Sequence, residues 1–138
     1  VRNVLLIISA CFLAVTALSK LVLVIGSPAL LNGYDKLLSQ PERVVAIASS
    51  GLEVAIATYL TLGTSLVIRG AILAWLGLNF VVYHIFMGLI GETAPCACLG
   101  AVNRWLADYT GAIHQISITL GAILALIGLS AYFSAEKS

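Results

Sequence analysis

The residues best suited to chemistry are two thiols one residue apart, Cys96 and Cys98, in the segment Pro95-Cys96-Ala97-Cys98-Leu99-Gly100. Such a pair can close a disulfide, but the ring is tight. The bond departs from relaxed geometry and should be easily reduced. That suits exchange chemistry better than permanent stapling. Gly100 lets the chain turn immediately after the pair. A nearby base or cation would favour thiolate, and His84, His114 and Arg104 are the candidates. Two other readings share the motif. A soft metal such as Cu(I) or zinc could sit on the pair and a histidine, but no full ligand set is evident and no metal is assigned. A static disulfide could simply stiffen the loop.

The other candidates, Lys20, Glu53 and His84, lie in long apolar runs, so the elements that carry them must be settled first. Of the 138 residues, 61% are apolar and 9% charged, and the mean hydropathy is +1.08. Soluble domains average about 25% charged residues. A chain this short cannot hide so much apolar surface in one water-soluble core, so lipid is part of its solvent. The net charge of +1 gives no footprint for nucleic acid. No linker, charge run or repeat divides the chain, which reads as one domain, 1–138.

A spanning helix needs about 20 mostly apolar residues. Four runs meet this: Val4 to Ile25, Val44 to Ile68, Gly70 to Ile90, and Ala112 to Phe133. None alternates as a barrel strand would, and backbone groups cannot stay unpaired in lipid, so helices are expected. The predicted fold is an all-α integral membrane protein, a four-transmembrane-helix bundle. Arg2 and the segment Ala17-Leu18-Ser19 resemble a cleavable signal peptide, but apolar sequence continues through Leu21 to Ile25, so a retained span is expected. Arg69 alone separates the second and third runs, which predicts a tight hairpin there. Between the first and second, Leu30, Leu31, Tyr34, Leu37 and Leu38 recur at helical spacing and predict a short amphipathic interfacial helix. In the third connection, Trp105 and Tyr109 suit the headgroup level.

Four crossings put the first and third connections on one face, with the termini and Arg69 on the other. Counting at the 1.5 Å helical rise, Lys20 and His84 lie about 9 Å from the loop face, Glu53 about 13 Å and His114 about 3 Å. All four occupy the half of the membrane next to Cys96 and Cys98. The opposite half carries no ionisable residue between its flanking charges. Since such groups cost about 2.5–3.5 kcal/mol at mid-span, their clustering points to function. Each also has a structural reading. Lys20 can snorkel to the headgroups. Glu53 can serve as its ion-pair partner. His84 and His114 can be hydrogen-bonded packing residues. Asn79 is expected to bridge helices, Gly121 and Ala125 to form a small-xxx-small contact, and Cys11 to pack as a small apolar side chain.

With these features the chain resembles the MauE/DoxX-like family of redox-associated small membrane proteins. The resemblance rests on Ala17-Leu18-Ser19-Lys20 closing the first helix, Gly51-Leu52-Glu53 in the second, and Cys-x-Cys-x-Gly before the last. It covers nearly the whole chain; many members carry Phe at the position of Leu99. It implies a four-helix bundle acting near thiol or electron-transfer chemistry, in a family whose namesake is associated with maturation of a disulfide-rich periplasmic amine dehydrogenase.

The resulting expectation is a bacterial inner-membrane thiol–disulfide protein. Cys96 and Cys98 would exchange electrons with the thiols of a membrane or periplasmic partner. Glu53 and His84 would act beside them, supported by Lys20, His114 and Gly100, and a membrane quinone is a candidate electron sink. Positive-inside counting ties: Arg2, Arg69 and Lys137 on the terminal face against Lys36, Arg43 and Arg104 on the loop face. Lys20 would tip the count toward a cytoplasmic loop face. Disulfide chemistry instead places the loop in the periplasm and both termini in the cytoplasm, the orientation adopted here. The rival reading is a non-enzymatic accessory subunit of a larger membrane complex, with a stapling disulfide and a Lys20–Glu53 ion pair. A transporter or a pigment- or haem-binding module using His84 is a third class, which an optical spectrum would expose.

Overall fold

The computed structural model describes residues 2–91 and 110–136. Four helices carry the fold: α1 (Arg2–Gly26), α2 (Glu42–Leu62), α3 (Leu66–Leu89) and α4 (Thr110–Glu136). Each is long and apolar enough to cross a bilayer. Their outward side chains stay apolar, as Ile25, Val15 and Leu126 show by their exposure. That is the pattern of a surface solvated by lipid, where the helix satisfies its own backbone.

The helices pack as two antiparallel pairs, α1 with α2 and α3 with α4. Leu6, Ala10 and Leu13 of α1 meet Ile56 and Leu60 of α2, Leu73 and Leu76 of α3, and Leu124 of α4 in one shared core. The α3–α4 contact is the closer. Gly70, Ala74 and Gly77 face Gly121, Ala125 and Gly128, and a Cβ added at Gly77 would lie 2.6 Å from the Gly121 carbonyl oxygen. Small residues let two backbones approach this closely, and such packing drives helix association in lipid.

Two connections differ from expectation. The α2–α3 turn falls at residues 63–65, not at Arg69. Gly63 leaves the helix with an extended backbone while its N–H donates to the Tyr59 carbonyl at 2.8 Å. Ser65 then caps α3, accepting from the Ile68 N–H at 3.4 Å. Arg69 therefore sits inside the first turns of α3, and its side chain is buried. A charge marks the end of an apolar run, but Gly and Ser mark the end of a helix.

The amphipathic helix expected between α1 and α2 is instead a single 3-10 turn, Pro28–Leu31, followed by a minimal hairpin. Its strands pair Tyr34 with Pro41 and Asp35 with Gln40. The Asp35 carboxylate accepts the N–H groups of Leu37 at 2.9 Å and Leu38 at 2.8 Å. Ser39 takes a positive φ of 52°. A side chain that captures the following amides competes with helix formation, and it overrides the apolar spacing. Leu31 anchors the connection by burying against Leu23, Val24 and Ala46.

Candidate functional site

The α1–α2 pairing brings Lys20 level with Glu53. Their side chains meet at 2.5 Å between Nζ and Oε1, and each residue is 1% exposed. Lys20 therefore does not snorkel; it turns into the bundle. The Thr16 hydroxyl, one turn earlier on α1, donates to Glu53 Oε2 at 3.2 Å. Beneath the ammonium lies the Phe80 ring of α3, with Nζ 5.5 Å from its centroid. A cation over a ring face is attracted by the ring quadrupole, and the attraction grows with desolvation. The pair is thus held by three helices.

One turn along α3 from Phe80, His84 is 2% exposed. Its ring stacks on Phe80 at 6.3 Å and meets Tyr83 edge-on at 5.5 Å. From α4 the His114 ring approaches at 5.7 Å, also edge-on. Gly88 makes room for it: a Cβ there would lie 2.9 Å from His114 Nε2. His84 Nε2 is buried with no hydrogen-bond partner among the described residues. A buried imidazole nitrogen without a partner can hold or release a proton once one is presented, the property a general acid–base group needs.

Sequence reasoning missed four members of this cluster: Asp35, Tyr83, Thr16 and Phe80. The Tyr83 hydroxyl donates to Asp35 Oδ2, tying α3 to the hairpin. Asp35 is 5% exposed, so this carboxylate caps the cluster from inside the fold. The adjacency of Tyr83 to His84 was the available signal. Tyr83→Phe is expected to release the hairpin at a cost of about 1.5–3 kcal/mol, the usual range for a hydrogen bond to a charged group. Faster amide hydrogen exchange at residues 34–41, with α3 unchanged, would show it.

Three expectations are corrected outside the cluster. Asn79 does not bridge helices; it is exposed and donates to the Trp75 carbonyl of its own helix at 2.8 Å. Cys11 lies on the outer face of α1 and is not packed inside. The terminal half is not purely apolar, because buried Arg69 reaches Asn3 Oδ1 at 3.4 Å. The segment with Cys96, Cys98, Gly100, Arg104, Trp105 and Tyr109 lies outside the described residues. Lys20, Glu53, His84 and His114 are brought together as one polar group in the half of the bundle where α3 ends and α4 begins.

A family model described as methylamine utilisation protein MauE matches residues 1–133. No curated protein and no solved structure matches the chain.

Proposed function

The chain belongs to the MauE family, and we propose that within it the protein is an inner-membrane thiol–disulfide partner whose exchanging pair is Cys96 and Cys98. One observation carries this reading. The buried polar group Lys20, Glu53 and His84 gathers in the half of the bundle from which the Cys-x-Cys connection departs. Ionisable side chains inside a span are retained where they serve a site, since lipid makes them costly.

Closing a disulfide from two thiols releases two electrons and two protons. A membrane quinone reduced to its quinol would take up both, and it is the acceptor class we assign. His84, with an open Nε2 and its ring against that of His114, would pass protons. Glu53 and Lys20 would set the charge beneath it. The partner would be a membrane or periplasmic protein of methylamine utilisation whose thiols are exchanged. This chemistry places the connection on the periplasmic side and both ends of the chain in the cytoplasm. Replacing both Cys96 and Cys98 with Ser should abolish partner disulfide formation, scored by mass-tag labelling of the partner's thiols in intact cells. Full retention would remove the proposal.

A second reading has its own observation. Lys20 and Glu53 are joined directly and enclosed, as a structural strut would be. An accessory subunit of a larger membrane complex would need no more than that. Co-purification with a stoichiometric large complex, with partner thiols unaffected by the double Ser variant, would favour it.

A further inference from the structure

Among the described residues, Asn79 is the one amide, carboxylate or cationic side chain exposed at mid-span, about 15 Å from the end of α3 at the 1.5 Å helical rise. Exposed hydroxyls on these helices close on their own backbone: Thr58 donates to the Val54 carbonyl and Thr119 to Gln115, each at 2.8 Å. One such bond uses the single hydrogen a hydroxyl has. A primary amide has two hydrogens and a carbonyl oxygen. Asn79 gives one hydrogen to the Trp75 carbonyl. The second hydrogen and Oδ1 have no partner among the described residues, and lipid supplies neither donor nor acceptor.

The stripe around Asn79 repeats. Ile68, Trp75, Val82 and Leu89 recur every seven residues along α3, and Asn79 and Phe86 stand four residues after Trp75 and Val82. All six are exposed on the outside of the bundle. The inner side of the same helix is already occupied, with Leu73 and Leu76 in the core and Gly77 against α4. A seven-residue repeat is the pattern of a helix that packs on another at a shallow, left-handed crossing. A single Asn within such a stripe fixes register and oligomeric state.

We propose that the outer stripe of α3 is a dimer interface, in which two copies of this chain set their α3 helices side by side and Asn79 exchanges amide hydrogen bonds with the same residue of the second copy. Copies inserted with one topology are related by a two-fold axis along the membrane normal, so α3 runs parallel to its counterpart and each stripe residue lies level with itself. An amide both donates and accepts, so it complements its own kind across that axis. The stripe carries no charge, so nothing in it repels itself. In lipid, interhelical hydrogen bonds and side-chain packing are what hold helices together.

The full chain in liposomes, kept reduced and diluted over a range of protein-to-lipid ratios, tests this by energy transfer between donor- and acceptor-labelled copies. Transfer should rise with the ratio to the plateau of a dimer. Asn79→Leu should weaken dimerisation about three- to thirtyfold, the range set by hydrogen bonds between membrane helices. A benzophenone amino acid in place of Val82 should capture a second copy on irradiation, whereas the same group in place of Val15, exposed on α1, should not. The proposal is overturned by a chain that stays monomeric across the range, by unchanged dimerisation of Asn79→Leu, or by capture at Val15 as strong as at Val82. Capture at Val82 of a different protein in place of a second copy, in native membranes, overturns it as well. Should Asn79→Leu fail to fold, the two capture sites still decide. Loss of the thiol reading would leave this interface in place.

Discussion

Glu53→Gln is expected to destabilise the bundle by about 3–5 kcal/mol, because it leaves the Lys20 ammonium enclosed without its counter-charge. That is a loss of about two to three and a half orders of magnitude in the folding equilibrium. The pair is buried on both sides, so water cannot replace the missing carboxylate. Removing both charges is a different experiment. A buried ion pair exchanged for apolar side chains of similar volume is often neutral or stabilising. Lys20→Met with Glu53→Met should therefore recover most of the loss, measured by reversible unfolding in mixed micelles. If the double variant is as unstable as Glu53→Gln, the pair is not the source of the cost.

The double variant also separates the two functional readings. A refolded bundle that no longer supports partner disulfide formation would show that the charges serve chemistry. A refolded bundle that supports it fully would make the pair a strut. Glu53→Gln alone cannot decide this, since it disturbs stability in either case.

The four spans were legible because apolar runs of this length admit few alternatives in lipid. The depth count that grouped Lys20, Glu53, His84 and His114 also held, since a helix rises by a fixed distance per residue. It fixed their level but not their direction around each helix. Lys20 had an inward and a snorkelling reading at the same depth, and only the packing of α1 against α2 and Phe80 turns it inward. Hydropathy also misled at two places where local chemistry decides. The α2–α3 turn follows the Gly63 and Ser65 signals and ignores Arg69. The connection before α2 follows the amide capture by Asp35. Asp35 itself escaped notice because its partner, Tyr83, is 48 residues away.

The α3–α4 seam was half visible. Gly121 and Ala125 stood out as a small-residue pair, but Gly70-x3-Ala74-x2-Gly77 repeats the spacing of Gly121-x3-Ala125-x2-Gly128 on the facing helix. Their antiparallel match means that each glycine confronts backbone. A Cβ at Gly128 would come 2.7 Å from the Gly70 carbonyl oxygen and 2.8 Å from Ala74 Cα, both inside contact distance. Gly128→Val and Gly77→Val should each cost at least the upper end of the usual 1–3 kcal/mol for overpacking, because no rotamer change can relieve a backbone clash. Loss of the folded form in thermal unfolding, or a parting of α3 from α4 seen by engineered cross-links, would report it. Gly51→Ala on α2 is the matched control, since an added Cβ there meets nothing within 4 Å. It should be neutral or stabilising by up to about 1 kcal/mol from helix propensity. A second control is sharper. Ala74→Gly removes the Cβ opposite Gly128 but not the Ala74 backbone that obstructs it, so it should not rescue Gly128→Val. Rescue would mean that side chains, and not backbone, set the distance between these two helices.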